Sequence, residues 1–354
     1  MKVLYLYAGA RKGKFRGTPG VDFADTQFYG QTQLKEFGVD ASYLEWSDIS
    51  RNPLLGRLLG FRLRQLLLYF WTRGSDIVFG SGLLYMMVLK KLLRPTRRFV
   101  LLNIGLGRTL AVNKRNPLKH RFLAALLREL DAVVCLARFQ KNALEESYPF
   151  LRGRVFYVPL GVDTEFYRPV HDGRQKYLLA AGRDDGRDYK TVFEVARLLP
   201  EVSFQVVCSR RNLTGAGEAP QNVHVFFDLP PAELYQKYRE AAALLLLTHD
   251  DNYGDGADCS GQTVLLDAFA CGLPVVASRK RYLEDYCTEG KDALVVGCYD
   301  APAAAAAATS LLRDPAYAAA LARSARERAE REFSSRAMAE GLARVFKQLG
   351  YYAR

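Results

Sequence analysis

Short runs rich in apolar residues recur along this chain, with segments long enough for a helix between them. In the first half they are residues 3–8 (VLYLYA), 39–45 (VDASYLE), 76–79 (DIVF), 98–104 (RFVLLNI) and 131–136 (DAVVCL). In the second half they fall at 177–181, 203–208, 223–227, 243–248, 274–277 and 293–296. Runs this short and continuous read as strands buried on both faces, and strands alternating with helices make a parallel sheet. Helices are predicted between them, over 24–38 and 118–129 among others. The pattern runs through twice. The expected fold is therefore α/β, with two Rossmann-like parallel-sheet domains facing a cleft at the carboxyl ends of their strands. At 354 residues the chain is long enough for both.

The loop after the first run, GARKGKFRGTPG, is rich in glycine and basic residues but lacks the GxGxxG spacing of a dinucleotide site, which argues against a dehydrogenase. No long apolar signal segment opens the chain. Six cysteines (Cys135, Cys208, Cys259, Cys271, Cys287, Cys298) show no CxxC spacing and read as reduced thiols of a cytosolic protein. Residues 301–349, alanine-rich with interleaved Arg and Glu, predict long solvent-facing helices.

The net charge of +12 is one-sided: residues 1–165 carry +13 and the remainder −1. An uneven basic half implies an anionic partner, whether nucleic acid, an acidic polymer or a membrane surface. Residues 51–73 are strongly apolar but interrupted by Arg57, Arg62 and Arg64. At about 2.5–3.5 kcal/mol per arginine near a bilayer centre, a membrane span is disfavoured. A helix lying in the interface fits this composition, as does a helix packed on its own sheet with its arginines in water. Residues 86–98 add a second basic and apolar patch.

The stretch with most chemical content is residues 259–278, CSGQTVLLDAFACGLPVVAS. Ser260 and Gly261 stand where a helix N-cap belongs, ahead of Val264, Leu265 and Leu266; Gly272 and Pro274 end the helix, and a buried strand follows. A helix N-terminus presents unpaired N–H groups and partial positive charge, and so suits a phosphate. On pattern alone, an ordinary helix–strand unit fits equally well.

This stretch resembles the donor-site segment of glycosyltransferase family 4, retaining enzymes of the GT-B fold. Three further segments resemble that family in its order: 131–147, 155–169 (VFYVPLGVDTEFYRP, its interdomain passage) and 178–199 (LLAAGRDDGRDYKTVFEVARLL, its Gly-Arg loop). The resemblance covers most of residues 130–335 and is weak before residue 100. It implies an acceptor-binding domain over 1–165, a donor-binding domain over 166–334, and a last helix, 335–354, returning to the first domain.

The resemblance also implies roles. Arg183, after Gly182, matches the family's arginine on the donor diphosphate; Arg187 and Lys190 compete for its lysine. Asp267 stands where the family has the second of two glutamates and would take the donor ribose. Cys259 stands at the first and cannot accept hydrogen bonds as a carboxylate does. The sugar contact then moves to Gln262 or to the acidic loop 250–258. Ser260, Gly261, Gln262 and Thr263 would donate to the β-phosphate, and Ser209 and Leu229 lie where the nucleotide base should sit. In the first domain Asn103 and Arg108 follow the strand where many family members carry a histidine. His249 ends a strand facing the expected cleft, where donor contact and capping compete as roles. The acidic loop lacks the spacing of a calcium loop, so no metal is expected.

Catalysis is assigned to Arg183, Lys190 and Asp267. The expected activity is retaining transfer of a sugar from a nucleotide-diphosphate sugar, which is substrate rather than cofactor. Its acceptor would be a hydroxyl, lipid-linked or on a cell-surface glycan. The expected partners are the nucleotide sugar and an anionic membrane surface or lipid-linked acceptor, with no nucleic acid. The expected location is cytoplasmic, peripheral on the inner face of the plasma membrane. Two readings compete: a nucleotide-sugar epimerase of the same fold, and a non-catalytic glycan- or nucleotide-binding protein.

Overall fold

A computed structural model describes residues 1–7, 9, 23–45, 61–169 and 177–351; Arg57 and most of the basic loop after the first strand lie outside them, and of residues 61–64 only the backbone is described. The chain forms two compact units. The first strand, Gln27–Pro159 and the chain from Arg336 onward form one; Leu160–Ser335, with residues 23–26, form the other.

The first unit holds a six-stranded sheet: β1 (Lys2–Tyr7), β2 (Asp40–Glu45), β3 (Ile77–Gly80), β4 (Arg98–Asn103), β5 (Ala132–Cys135) and β6 (Val155–Tyr157). All pairs are parallel, in the order β2-β1-β3-β4-β5-β6. Its helices are α1 (Phe61–Trp71), α2 (Met87–Leu93), α3 (Leu106–Asn113), α4 (Pro117–Arg128) and α5 (Arg138–Ser147). Strands such as β5, AVVC, are buried at every residue, as expected of a sheet covered on both faces.

The second unit repeats the plan. It contains β7 (Leu178–Ala181), α6 (Tyr189–Leu198), β8 (Phe204–Cys208), β9 (Val223–Phe227), α7 (Pro231–Glu240), β10 (Ala243–Leu246), α8 (Gln262–Ala270), β11 (Val275–Ser278) and β12 (Leu294–Val296), then α9 (Ala301–Arg313) and α10 (Pro315–Glu332). Its parallel order is β12-β11-β10-β7-β8-β9. The last helix, α11 (Ser335–Tyr351), enters the first unit at Arg336, where Phe346 meets Phe79 edge to face at 5.4 Å and Arg336 pairs with Glu36 at 2.9 Å.

Two expectations change. Residues 24–38 are not one helix but two 3-10 turns, Asp25–Phe28 and Gln31–Phe37. Gly30 between them has φ +71°, and a Cβ there would lie 2.8 Å from the Ala339 backbone nitrogen of α11. The close approach of α11 thus explains both the glycine and the break. Nor do the alanine-rich helices face solvent all round. Ala304 and Ala308 of α9 and Ala325 and Ala329 of α10 are fully buried, α9 against α6 and α10 against α8. Alanine here lets helix axes approach closely.

Candidate functional site

In the second sheet the strand order reverses at β7 and β10, so the loops leaving their carboxyl ends lie side by side. An open α/β sheet places its ligands at such a point. Backbone hydrogen bonds join the two loops: Asp188 N–H donates to Leu247 (3.1 Å) and His249 N–H to Gly186 (3.0 Å), with an isolated bridge between Arg187 and Thr248. Asp188 also caps α6 by accepting from the N–H and hydroxyl of Thr191. Two glycines make the crossing possible. A Cβ on Gly182, whose φ is +142°, would sit 2.2 Å from Arg187 Nε, and one on Gly186 would sit 2.2 Å from Ser260 Oγ.

Arg187 is buried at the centre of this crossing. Its Nε lies 2.8 Å from Asp184 Oδ2, an ion pair without hydrogen-bond geometry, and its Nη1 has no acceptor among the described residues. Burial opposes ionisation of Asp184, but the charge of Arg187 and hydrogen bonds from Ser260 and Gly186 outweigh it and hold the carboxyl below its usual range. Burial likewise works against the Arg187 charge, and Asp184 more than restores it. Ser260 gives its hydroxyl to Asp184 instead of capping α8. The N-cap is Gly261, φ +96°, with no side-chain cap bond. A Cβ on Gly261 would lie 2.9 Å from Tyr282 Oη and 3.1 Å from Arg187 Nη1. The guanidinium therefore stands directly below the open N-terminus of α8, adding a full charge to the helix's partial one.

Beside it is a shallow recess open to solvent. Gly186, Ser260, His249, Asp251, Asp258 and Lys280 are among its lining residues. The buried Lys280 pairs with Asp251 at 3.0 Å and donates to the His249 carbonyl at 3.1 Å. His249 stacks on Tyr253 at 3.9 Å between ring centres. Lys280 and Tyr253 are absent from the residues the sequence singles out. The signal for Lys280 was its position just beyond the buried strand β11, the same place Arg183 occupies after β7.

The other expected residues are distributed as follows. Arg183 is exposed and pairs with Asp228 at 3.3 Å. Lys190 is exposed on the first turn of α6. Ser209 closes a capping box with Asn212, whose Nδ2 donates to the Asp184 carbonyl (2.9 Å), tying the β8 loop to the Gly-Arg loop; Leu229 is half-buried in the turn after β9. Gln262 is buried in the first turn of α8, Thr263 exposed beside it, and Cys259 half-buried just ahead of it. Asp267 faces inward. Burial pushes its carboxyl up to about 8, partly offset by a hydrogen bond with Tyr167, and its Oδ1 has no partner among the described residues. In the first unit, Asn103 accepts from the N–H of Leu106 (3.1 Å) and so shapes the start of α3, on which Arg108 is exposed. Among the described residues no cluster of His, Cys, Asp and Glu is placed to hold a metal ion.

Comparison with known proteins accords with this geometry. A family model described as glycosyl transferase-like matches residues 187–344, which carry most of the crossing. The chain is 26% identical over 233 residues to a GDP-mannose-dependent α-(1-6)-phosphatidylinositol monomannoside mannosyltransferase of Mycolicibacterium smegmatis, covering 58% of this chain and 59% of that protein. It is 26% identical over 250 residues to a D-inositol 3-phosphate glycosyltransferase of Segniliparus rotundus, covering 63% and 53%. The chain thus spans little more than half the length of these relatives. Among solved structures, sucrose-phosphate synthase from Thermosynechococcus elongatus superposes with a TM-score of 0.73 at 18% identity, over 99% of this chain and 100% of that one. Anabaena HepE, solved with UDP and glucose, gives 0.69 at 13%, over 98% and 99%. The fold is GT-B, and the second unit is similar over most of its length to glycosyl transferase-like domains.

Proposed function

We propose that this chain is a retaining glycosyltransferase moving a sugar from a nucleotide-diphosphate sugar to an acceptor hydroxyl. The observation that carries this reading is Arg187, buried below the open N-terminus of α8, its Nη1 without an acceptor among the described residues. A donor diphosphate at this helix end would lie in the field of that guanidinium, while free N–H groups of the first turn of α8 take its oxygens. Arg183, exposed and paired among the described residues with Asp228, would turn to the same group at little cost. A diphosphate is a good leaving group. Fixed cations that stabilise its charge as it departs supply the main catalytic term, without a metal.

The adjacent recess, open to solvent and lined by polar and charged side chains, is where we place the sugar. Asp258 and Lys280 there offer an acceptor and a donor to hydroxyls, in place of the carboxylate that Cys259 cannot provide. For Asp267 we keep the ribose contact, made as a neutral acid near pH 7. A lipid-linked acceptor is supported by the likeness to a phosphatidylinositol monomannoside mannosyltransferase and by the basic first half of the chain. A cytoplasmic protein peripheral on the inner face of the plasma membrane fits the same reading.

The test is a panel of nucleotide sugars scored for thermal stabilisation, then for release of nucleoside diphosphate with and without lipid acceptors. The reading requires slow release without acceptor, faster release with one, and a product of unchanged anomeric configuration. A second reading, a non-catalytic nucleotide-sugar-binding protein, is favoured by Cys259. Tight binding with no turnover on any acceptor would select it.

A further inference from the structure

We propose that the outer face of helices α1–α4 is a docking surface for an anionic lipid bilayer, a surface independent of the donor-site reading. These helices form one continuous layer in the first unit: α1 packs on α2, α2 on α4 and α4 on α3. The layer turns large apolar side chains to water on every helix. Trp71 of α1, Leu92 and Leu93 of α2, Val112 of α3, and Leu118 and Phe122 of α4 are all exposed, Leu118 at 79%. Single exposed leucines need no explanation, but a set shared by four adjacent helices does.

The charge around this set has one sign. Residues 61–128 hold fourteen Lys and Arg and one acid, Asp76. That acid lies at the foot of β3, where it accepts the main-chain N–H of Lys2. Some of the cations are accounted for: Lys90 and Arg98 pair with Asp131, and Arg97 covers the Tyr69 ring. Lys91, Arg94, Lys114, Arg115, Lys119 and Arg121 form no ion pair among the described residues. The arrangement is sharpest at the α3–α4 turn, where Val112, Lys114, Arg115, Leu118 and Lys119 alternate within eight residues, all exposed.

A surface made only for solubility mixes both signs and leaves out the leucines. A soluble polyanion would satisfy the cations but has no use for aliphatic tips. An anionic bilayer satisfies both: cations meet headgroups while leucine, valine and aromatic side chains enter the acyl boundary. No described helix is long and apolar enough to cross a membrane, so the contact is at the surface.

The experiment is sedimentation of the full-length protein with phosphatidylcholine vesicles, with and without phosphatidylglycerol, at low and high salt. Binding is expected only with the anionic lipid and should fall with salt. Each cation brought near the surface contributes about fivefold to partitioning, so Lys114→Gln, Arg115→Gln and Lys119→Gln together should weaken binding by about a hundredfold. Leu118→Ser with Phe122→Ser should cost about tenfold or more at low salt, with unchanged melting temperature and unchanged nucleotide binding. Leu92→Ser with Leu93→Ser repeats the test on α2. The proposal is overturned if wild type stays in the supernatant with anionic vesicles at low salt. It is equally overturned if both serine pairs bind as tightly as wild type, or if the protein binds RNA at a salt where vesicles neither bind nor compete.

Discussion

Arg187 has given up water on every side for one ion pair and a place beneath a helix, whereas Arg183, four residues earlier, stays in solvent. The two substitutions should therefore separate stability from binding. Arg187→Ala removes a buried, ion-paired side chain from the centre of the crossing, while the part-exposed Asp184 keeps its bonds from Ser260 and Gly186, and should cost about 1–3 kcal/mol in a denaturant titration. Arg183→Ala removes only an exposed pair and should change stability by less than about 1 kcal/mol, yet lower nucleoside diphosphate affinity about tenfold by calorimetry. Unchanged affinity in a folded Arg183→Ala protein would take that residue out of the site. Asp267 gives a pH signature. Its carboxyl titrates near 8 when folded and in the ordinary range when unfolded, so the unfolded state releases its proton first as pH rises. This residue's contribution to stability is thus greatest below the unfolded pKa and falls between about pH 4 and pH 8, by about 1.4 kcal/mol per unit. Asp267→Asn should flatten that fall in urea midpoints, and an unchanged slope would mean the carboxyl is not held neutral. At this scale the sequence was half legible. Gly182, Arg183, Arg187, Ser260 and Gly261 could be picked out because they stand in the two segments that resemble the family's donor site. That Arg187, not Lys190, is the buried cation depended on the bridge to Thr248, which no local pattern encodes. Lys280 was missed because its partner Asp251 is distant in sequence.

Helix ends were more legible than helix surroundings. Gly272, with φ +57°, and Leu273 close a Schellman motif on α8 through bonds to Phe269 and Ala268, as the Gly-Leu-Pro corner implies. The other end of α8 is more telling, because Gly261 is both cap and clearance. Gly261→Ala should strain the backbone by about 1 kcal/mol and set a methyl against Tyr282 Oη and Arg187 Nη1. A melting temperature a few degrees lower, with nucleoside diphosphate binding lost, is the expected result. Retained binding would mean the phosphate does not approach this helix end. Two elements eluded sequence reasoning for physical reasons. β6 is three residues long and lies in a stretch that resembles a connection, so no run marked it. The alanine helices showed no contrast between faces, since alanine suits both water and close packing. Ala325→Leu should expose the difference. That side chain has no room beside α8, so a loss of about 1–3 kcal/mol is expected in thermal melts, against almost none for a substitution on the exposed face.

The whole chain carries two separate cores. One is built on β1–β6 with residues such as Phe99, Leu127 and Val133, the other on β7–β12 with Phe193, Leu245 and Ala304. The doubled strand pattern announced this arrangement, because each set of buried runs can cover its own sheet. Every residue here assigned to the donor diphosphate and sugar lies in the second unit, and every residue assigned to the lipid surface lies in the first. A ligand that binds only a folded unit stabilises that unit by mass action, about 2.7 kcal/mol at a hundred times its dissociation constant. Saturating nucleoside diphosphate should therefore raise hydrogen-exchange protection in peptides from residues 177–335 and leave those from 61–128 near their free values. Calorimetry should show two transitions, of which only one moves with nucleotide. A single transition moving as a whole would mean that the two cores unfold together. Protection appearing first in peptides 61–128 would place the nucleotide in the wrong unit and remove the α8 site from the mechanism.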